Sequence, residues 1–209
     1  MSGHWIGGLA AAMVALTVAA PAASSEALAS TGATAIVGKF KRSGAGLACV
    51  FTLKDGVTMD DMDALSADGP CMRTGPVVLG LPRKEAEAHL GRPLTTIEDR
   101  GDAVFIYPLA WSGAPEASDL LAYAAVAYDT KDQVRLLQLS GEKAPPVGDW
   151  AFSAVRLGDP DTAVLASLGE PFSRSPVADN GAELWSYSPW AFSFEIKNGK
   201  VTSIRLSAS

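Results

Sequence analysis

The sequence predicts an α+β fold of two tandem modules, each a short helix on an antiparallel sheet, after a signal peptide and a small N-terminal extension. Two observations carry this expectation. "LGLPRKEAEAHLGRP" at 79–93 aligns without gaps on "LGDPDTAVLASLGEP" at 157–171, identical at seven of fifteen positions. Further on, Trp190, Phe192, Phe194 and Ile196 alternate with small or polar residues before Asn198-Gly199, the pattern of a half-buried strand running into a tight hairpin.

Composition sets the bounds. With 209 residues and 48% hydrophobic content, the chain has enough apolar surface to fold. Its 17 Lys+Arg against 23 Asp+Glu give a formal charge of −6. No basic block clusters anywhere, which argues against nucleic acid or an anionic membrane surface as the main partner.

The first 22 residues resemble a signal peptide. Trp5 to Ala20 is apolar and Ala-rich, and Ala20-Pro21-Ala22 offers a small-x-small cleavage site, with Ala27-Leu28-Ala29 as a second. The run is short for a membrane span, although "MSGHW" lacks Lys and Arg, so an uncleaved anchor stays open. No Cys follows the apolar run, which speaks against a lipidated N-terminus. The chain has two cysteines, Cys49 and Cys71, and in an oxidising compartment a disulfide is the simplest expectation. A zinc site would need C-x-x-C spacing and histidines. No metal or cofactor is expected.

Residues 33–75 form the N-terminal extension: a strand, a turn at Asp55-Gly56, then a helix over "MDDMDALSA" opened by Thr58 and Asp61. The acids Asp60, Asp61, Asp63 and Asp68 are a solvated helix start on this reading. Leu65 and Ser66 break the alternate-ligand frame of a calcium loop.

Modules follow at 76–140 and 152–207. In each copy a proline, Pro82 or Pro160, suits the first helical position, with Asp159 as an N-cap in the second. A glycine, Gly91 or Gly169, suits the C-terminal cap. Beyond the helix, Gly101 answers Gly181, Phe105 answers Trp185, Tyr107 answers Tyr187, Tyr128 answers Ile196, Val134 answers Val201 and Leu139 answers Leu206. Each copy therefore reads as a helix and about four strands.

The helix framed by LG-x-P at both ends, then W-x-Y, then F-x-x-x-N-G-K-V-x-x-I, resembles the SmpA/OmlA (BamE) domain and the wider group of β-lactamase inhibitor protein-like domains. The likeness covers about 76–140 and 152–207. It implies a helical segment on one face of a small antiparallel sheet, tandem copies forming a sheet-lined surface, and action by binding proteins rather than by catalysis.

Catalytic patterns are sparse. His89, near a helix end, is the one histidine outside the leader, and G-x-S-x-G is absent. Ser140-Gly141-Glu142-Lys143 has S-x-x-K spacing but runs straight into "APPVG", so it lacks the helix that this chemistry needs. No catalytic residue is assigned. The binding candidates are Trp111, in the long loop of the first copy, Trp150, in the linker, and Ser193 and Glu195. A linker Trp serves equally well as a plug between modules.

Ser186, Ser193 and Glu195 should line the sheet face away from the helix in the second copy, and Ile106, Ala125 and Ala127 in the first. The expected function is a periplasmic or secreted cell-envelope protein-binding module, an assembly accessory, scaffold or inhibitor. Its partner would be another envelope or secreted protein, with no nucleic acid and no stable membrane span after cleavage. The rival expectation is a periplasmic hydrolytic enzyme without a His-based site. N-terminal sequencing of the exported protein should start near Ala23, or near Ser30 for the second site; an intact Met1 on soluble cytoplasmic protein would refute export.

Overall fold

The computed structural model describes residues 36–44, 46–53, 55–57, 69–99, 101–115, 119–178 and 180–208. The leader and the helix expected over 59–67 lie outside them. The chain opens with a hairpin, β1 (Ile36–Ser43) and β2 (Gly46–Leu53), a 3-10 turn at Gly69–Cys71, and the short pair β3 (Arg73–Thr74) and β4 (Val77–Val78). Helix α1 (Arg83–Leu90) precedes β5 (Thr95–Asp99), β6 (Asp102–Trp111), β7 (Leu120–Tyr128) and β8 (Val134–Gly141). Helix α2 (Asp161–Leu168) precedes β9 (Ser173–Pro176), β10 (Glu183–Ser186), β11 (Phe192–Lys197) and β12 (Lys200–Ser207).

The expected α+β class of two tandem helix-on-sheet modules does not hold. The protein is mostly β, with two eight-residue α-helices among the described residues. The eight repeat strands form one antiparallel sheet, ordered β5-β6-β7-β8-β12-β11-β10-β9. The last strands of the two repeats pair with each other, Ser203 opposite Ser140 through Ser207 opposite Leu136. That register sets Ile204 beside Leu139 and Leu206 beside Leu137, all fully buried. Two half-sheets thus share one core. Left apart, each would expose a long unpaired edge backed by apolar side chains.

The repeat is visible in the backbone. Gly80 N–H donates to Val134 O (2.7 Å), Val134 N–H to Leu81 O (2.9 Å) and Arg83 N–H to Asp132 O (2.8 Å). In the second half Gly158 N–H donates to Val201 O (2.7 Å), Val201 N–H to Asp159 O (2.9 Å) and Asp161 N–H to Gly199 O (3.0 Å). Helices this short are marginal alone, so these bonds to the neighbouring hairpin set their position.

The capping differs in detail from expectation. Pro82 and Pro160 stand just before each helix in extended conformation, ψ 141° and 152°, and their carbonyls accept from the first turn. The Asp159 carboxylate accepts from Arg156 N–H (2.8 Å) instead of capping α2. Gly91 and Gly169 end the helices at φ 79° and 81°, a region costly for any residue with a Cβ.

The alternating aromatics belong to the core. Burial along β11 alternates, with Phe192, Phe194 and Ile196 inside. Phe194 packs among Phe152, Tyr187 and Phe192 at centroid separations of 5.9, 5.9 and 6.1 Å. The N-terminal hairpin closes this end: Phe40 meets Trp190 at 4.8 Å, Phe192 at 5.2 Å and Phe152 at 5.8 Å. Its backbone N–H donates to the buried Ser153 hydroxyl at 2.9 Å. The Cys49–Cys71 disulfide, Cα atoms 5.7 Å apart, ties β2 to the 3-10 turn and so holds the hairpin in place. Among the described residues no helix is long and apolar enough to cross a membrane. Phe194→Ala should destabilise the fold by about 3–5 kcal/mol, the range for a buried aromatic truncated in a tight core, and a thermal melt matching wild type would refute this packing.

Candidate protein-binding face

Side chains of a strand alternate between the two faces of its sheet. One face here carries the helices, the N-terminal hairpin and the main core. The other is traversed by three rows of side chains set by the strand registers.

The middle row crosses all eight strands: Thr95, Ile106, Ala125, Gln138, Arg205, Ser193, Ser186 and Ser173. Beside it run Pro108, Tyr123, Ser140, Ser203, Glu195, Leu184 and Ser175. A shorter row holds Ile97, Val104, Ala127, Leu136 and Ser207.

This face has two chemical halves. On β6 to β8, Val104, Ala125 and Ala127 are buried among the half-buried Ile106, Tyr123 and Leu136. Among the described residues no helix, hairpin or loop joins that cluster, and Ile97 on the neighbouring edge strand is 49% exposed. From Gln138 and Ser140 on β8 across β12, β11 and β10 the face is polar apart from Leu184. Ser140 donates to Ser203 (3.4 Å), Gln138 Nε2 to Ser140 (3.1 Å) and Asn180 Nδ2 to Glu195 Oε2 (3.4 Å), while Arg205 stands exposed. Register irregularities in β6, in β7 and between Glu195 and Ile196 bend the strands locally.

The four sequence candidates fall in different places. Ser193 and Glu195 share the helix-free face, half-buried on β11. Trp111 is the last residue of β6, opposite Leu120 and half-buried, not a loop residue. Trp150 is buried in the main core, 7% exposed. It fits there because Gly75 and Gly148 lie against its indole, where a Cβ would come within 3.1 and 2.8 Å of ring atoms. It is a core plug and leaves the list of contact residues.

Two exposed knobs escape the sequence reading. Leu94 and Phe172, 54% and 76% exposed, hold equivalent places after the repeated LG-x-P and donate the equivalent backbone bonds, to Ile106 O (2.7 Å) and Ser186 O (2.8 Å). They flank the sheet at its two ends. The signal is the apolar residue following the second proline in both copies.

A polar cluster on the helix side has a structural role. Arg83 bonds Glu87 (2.8 Å), Glu87 accepts from Tyr107 OH (3.1 Å), and the Tyr107 and Tyr128 hydroxyls are 2.9 Å apart. Burial first, then the Tyr128 hydrogen bond and the Glu87 charge, push the Tyr107 hydroxyl far above its ordinary 10.0. That is the wrong direction for a base or nucleophile at neutral pH. Burial likewise raises Tyr187, whose hydroxyl donates to Gly169 O at 2.9 Å.

No family model matches the chain, and no curated protein does. Among solved structures, a DUF4309 family protein (YjgB) from Bacillus subtilis subsp. subtilis str. 168 is similar at 11% identity, over 62% of this chain and 79% of that one, with a TM-score of 0.41. A likeness so distant bears on neither the fold argument nor function.

The tyrosines set an alkaline limit. Their protons are retained in the folded state above the pH at which the unfolded chain releases them, so their contribution is complete below about pH 10 and lost as pH rises further. Unfolding free energy should fall above pH 10 by up to about 1.4 kcal/mol per pH unit per tyrosine. The Tyr107→Phe, Tyr187→Phe double variant should flatten that slope in denaturant titrations, and an unchanged slope would refute the assignment.

Proposed function

We propose that the protein is an exported protein-binding module of the cell envelope that engages its partner on the helix-free face of the eight-stranded sheet. One observation carries the reading: an eight-strand-wide sheet face whose β6–β8 part is an apolar cluster that no other described element covers and whose remainder is mostly polar. An apolar patch bordered on one side by polar side chains is the kind of surface at which proteins associate. Small side chains such as Ala125 and Ser193 leave room for a partner's protruding segment.

Export is supported by the Cys49–Cys71 disulfide, since such bonds persist in oxidising compartments, and by the leader-like first 22 residues. The repeated LG-x-P frame, with its likeness to BamE-like and β-lactamase inhibitor protein-like domains, is in keeping with binding rather than catalysis.

A photoreactive residue placed at Ser193 should crosslink one envelope protein, while the same group at Lys84, exposed on α1, should not. Ser193→Arg should then weaken that partner's binding at least tenfold, about 1.4 kcal/mol, with little change in melting temperature. Equal crosslinking from Lys84, or full binding by Ser193→Arg, would overturn the proposal.

A further inference from the structure

The two ends of the eight-stranded sheet are equivalent in the repeat and differ in their outward backbone groups. β5 and β9 are the edge strands, both exposed along their lengths, and Thr95 opposite Ile106 answers Ser173 opposite Ser186. On that alignment Thr96 answers Arg174, and Glu98 answers Pro176. Alternate residues of an edge strand turn their backbone groups away from the sheet. The two-residue turn between Asp99 and Asp102 closes on a hydrogen-bonded pair, so Asp99, Ile97 and Thr95 bond β6 while Thr96 and Glu98 face outward. In the second half Tyr187 N–H donates to Phe192 O, which assigns Trp185 and Glu183 to β11 and leaves Ser186 and Leu184 to bond β9. The outward positions there are Arg174 and Pro176.

Proline has no N–H, and at an outward edge position it stops a further strand from pairing. Pro176 thus closes one end of the sheet. The other end has Glu98 at the same place, so both outward amides of β5 are donors, and among the described residues no strand pairs with them. Ile97, 49% exposed, stands opposite Val104 and carries the apolar cluster of Val104, Ala125 and Ala127 out to this open edge.

We propose that a second copy of this chain pairs with that edge, β5 against β5 in antiparallel fashion about a two-fold axis through Ile97. In this register Thr96 exchanges backbone hydrogen bonds with Glu98 of the other copy, and Glu98 with its Thr96. Ile97 meets its own counterpart, Thr95 faces Asp99, and no carboxylate stands directly opposite another. The two apolar clusters become one across the axis. Moving the axis to Glu98 would set like charges opposite each other, and moving it to Thr96 would set Ile97 against Thr95. Five residues make a small interface, so the association is weak and concentration-dependent. It needs no other protein and stands apart from the partner-binding reading above.

The test is sedimentation equilibrium of the full mature chain, which should show a monomer–dimer equilibrium. Glu98→Pro, which gives the first edge the residue of the second, should weaken dimerisation roughly tenfold or more. Its melting temperature in dilute solution should stay that of wild type, because position 98 makes no ladder bond to β6. Glu98→Gln keeps the amide and should dimerise at least as well as wild type. The Ile97→Cys variant reads the register: opposed Cα atoms of a non-hydrogen-bonded pair stand about 4.5 Å apart, within disulfide range, so oxidation should link two copies, whereas Thr95→Cys, opposite Asp99, should give no link. A chain that stays monomeric at about 1 mM, including one that pairs only with a strand of another protein, would overturn the proposal. So would wild-type dimerisation by Glu98→Pro, an equal loss in Glu98→Gln, or equal linking by the two cysteine variants.

Discussion

The pairing of β8 with β12 is the interaction on which the rest of the structure depends. Five residues on each side are in register, and that register places apolar partners on one face and polar partners on the other. Gln138 faces Arg205, and Ser140 faces Ser203, on the helix-free side. Shifting the pairing by one residue would turn Ile204 and Leu206 out of the core and Arg205 into it, a cost no local adjustment recovers. The core is therefore common to both repeats and to the N-terminal hairpin, whose Phe40 completes the aromatic group around Phe192.

Each helix is subordinate to this sheet. With eight residues apiece, α1 and α2 bury only a few side chains, Ala86 and Leu90 in one and Val164 and Leu168 in the other. The equivalent backbone bonds to the 132–134 and 199–201 turns hold their first turns, and a tyrosine secures each from below. Tyr107 reaches Glu87 in the middle of α1, whereas Tyr187 reaches the carbonyl of Gly169 at the end of α2. The two repeats thus keep the backbone plan and the tyrosine, and differ in which atom of the helix the tyrosine reaches.

Local features of the fold are legible in the sequence and its long-range pairing is not. The LG-x-P frame marks both helices to within a residue or two, Asn198-Gly199 marks the β11–β12 turn, and the alternation from Trp190 assigns the inward face of β11. Nothing in residues 136–140 names 203–207 as their partner, because alternation tells which face a side chain takes but not which strand lies alongside. That is why the chain reads as two modules where one sheet exists. The same limit applies to tryptophan. Trp150 is accommodated by glycines at 75 and 148, and Gly75 is far away in the chain, so composition near Trp150 gives no hint of it. Ser193 and Glu195, by contrast, follow from period-two alternation alone, and their place on the helix-free face is readable without any knowledge of the neighbouring strands.

The segment between the repeats runs exposed from Glu142 to Asp149 apart from Ala144 and Pro145, with Val147 at 80% exposure, and then dives into the core at Trp150 and Phe152. Covalent continuity across that exposed stretch adds little to what the β8–β12 ladder and the common core already provide. The two halves form a natural pair of complementing fragments: a protease that severs the chain near Val147 leaves a nicked molecule whose pieces stay associated, and the free-energy penalty is the concentration dependence of their reassembly rather than the loss of any packed contact.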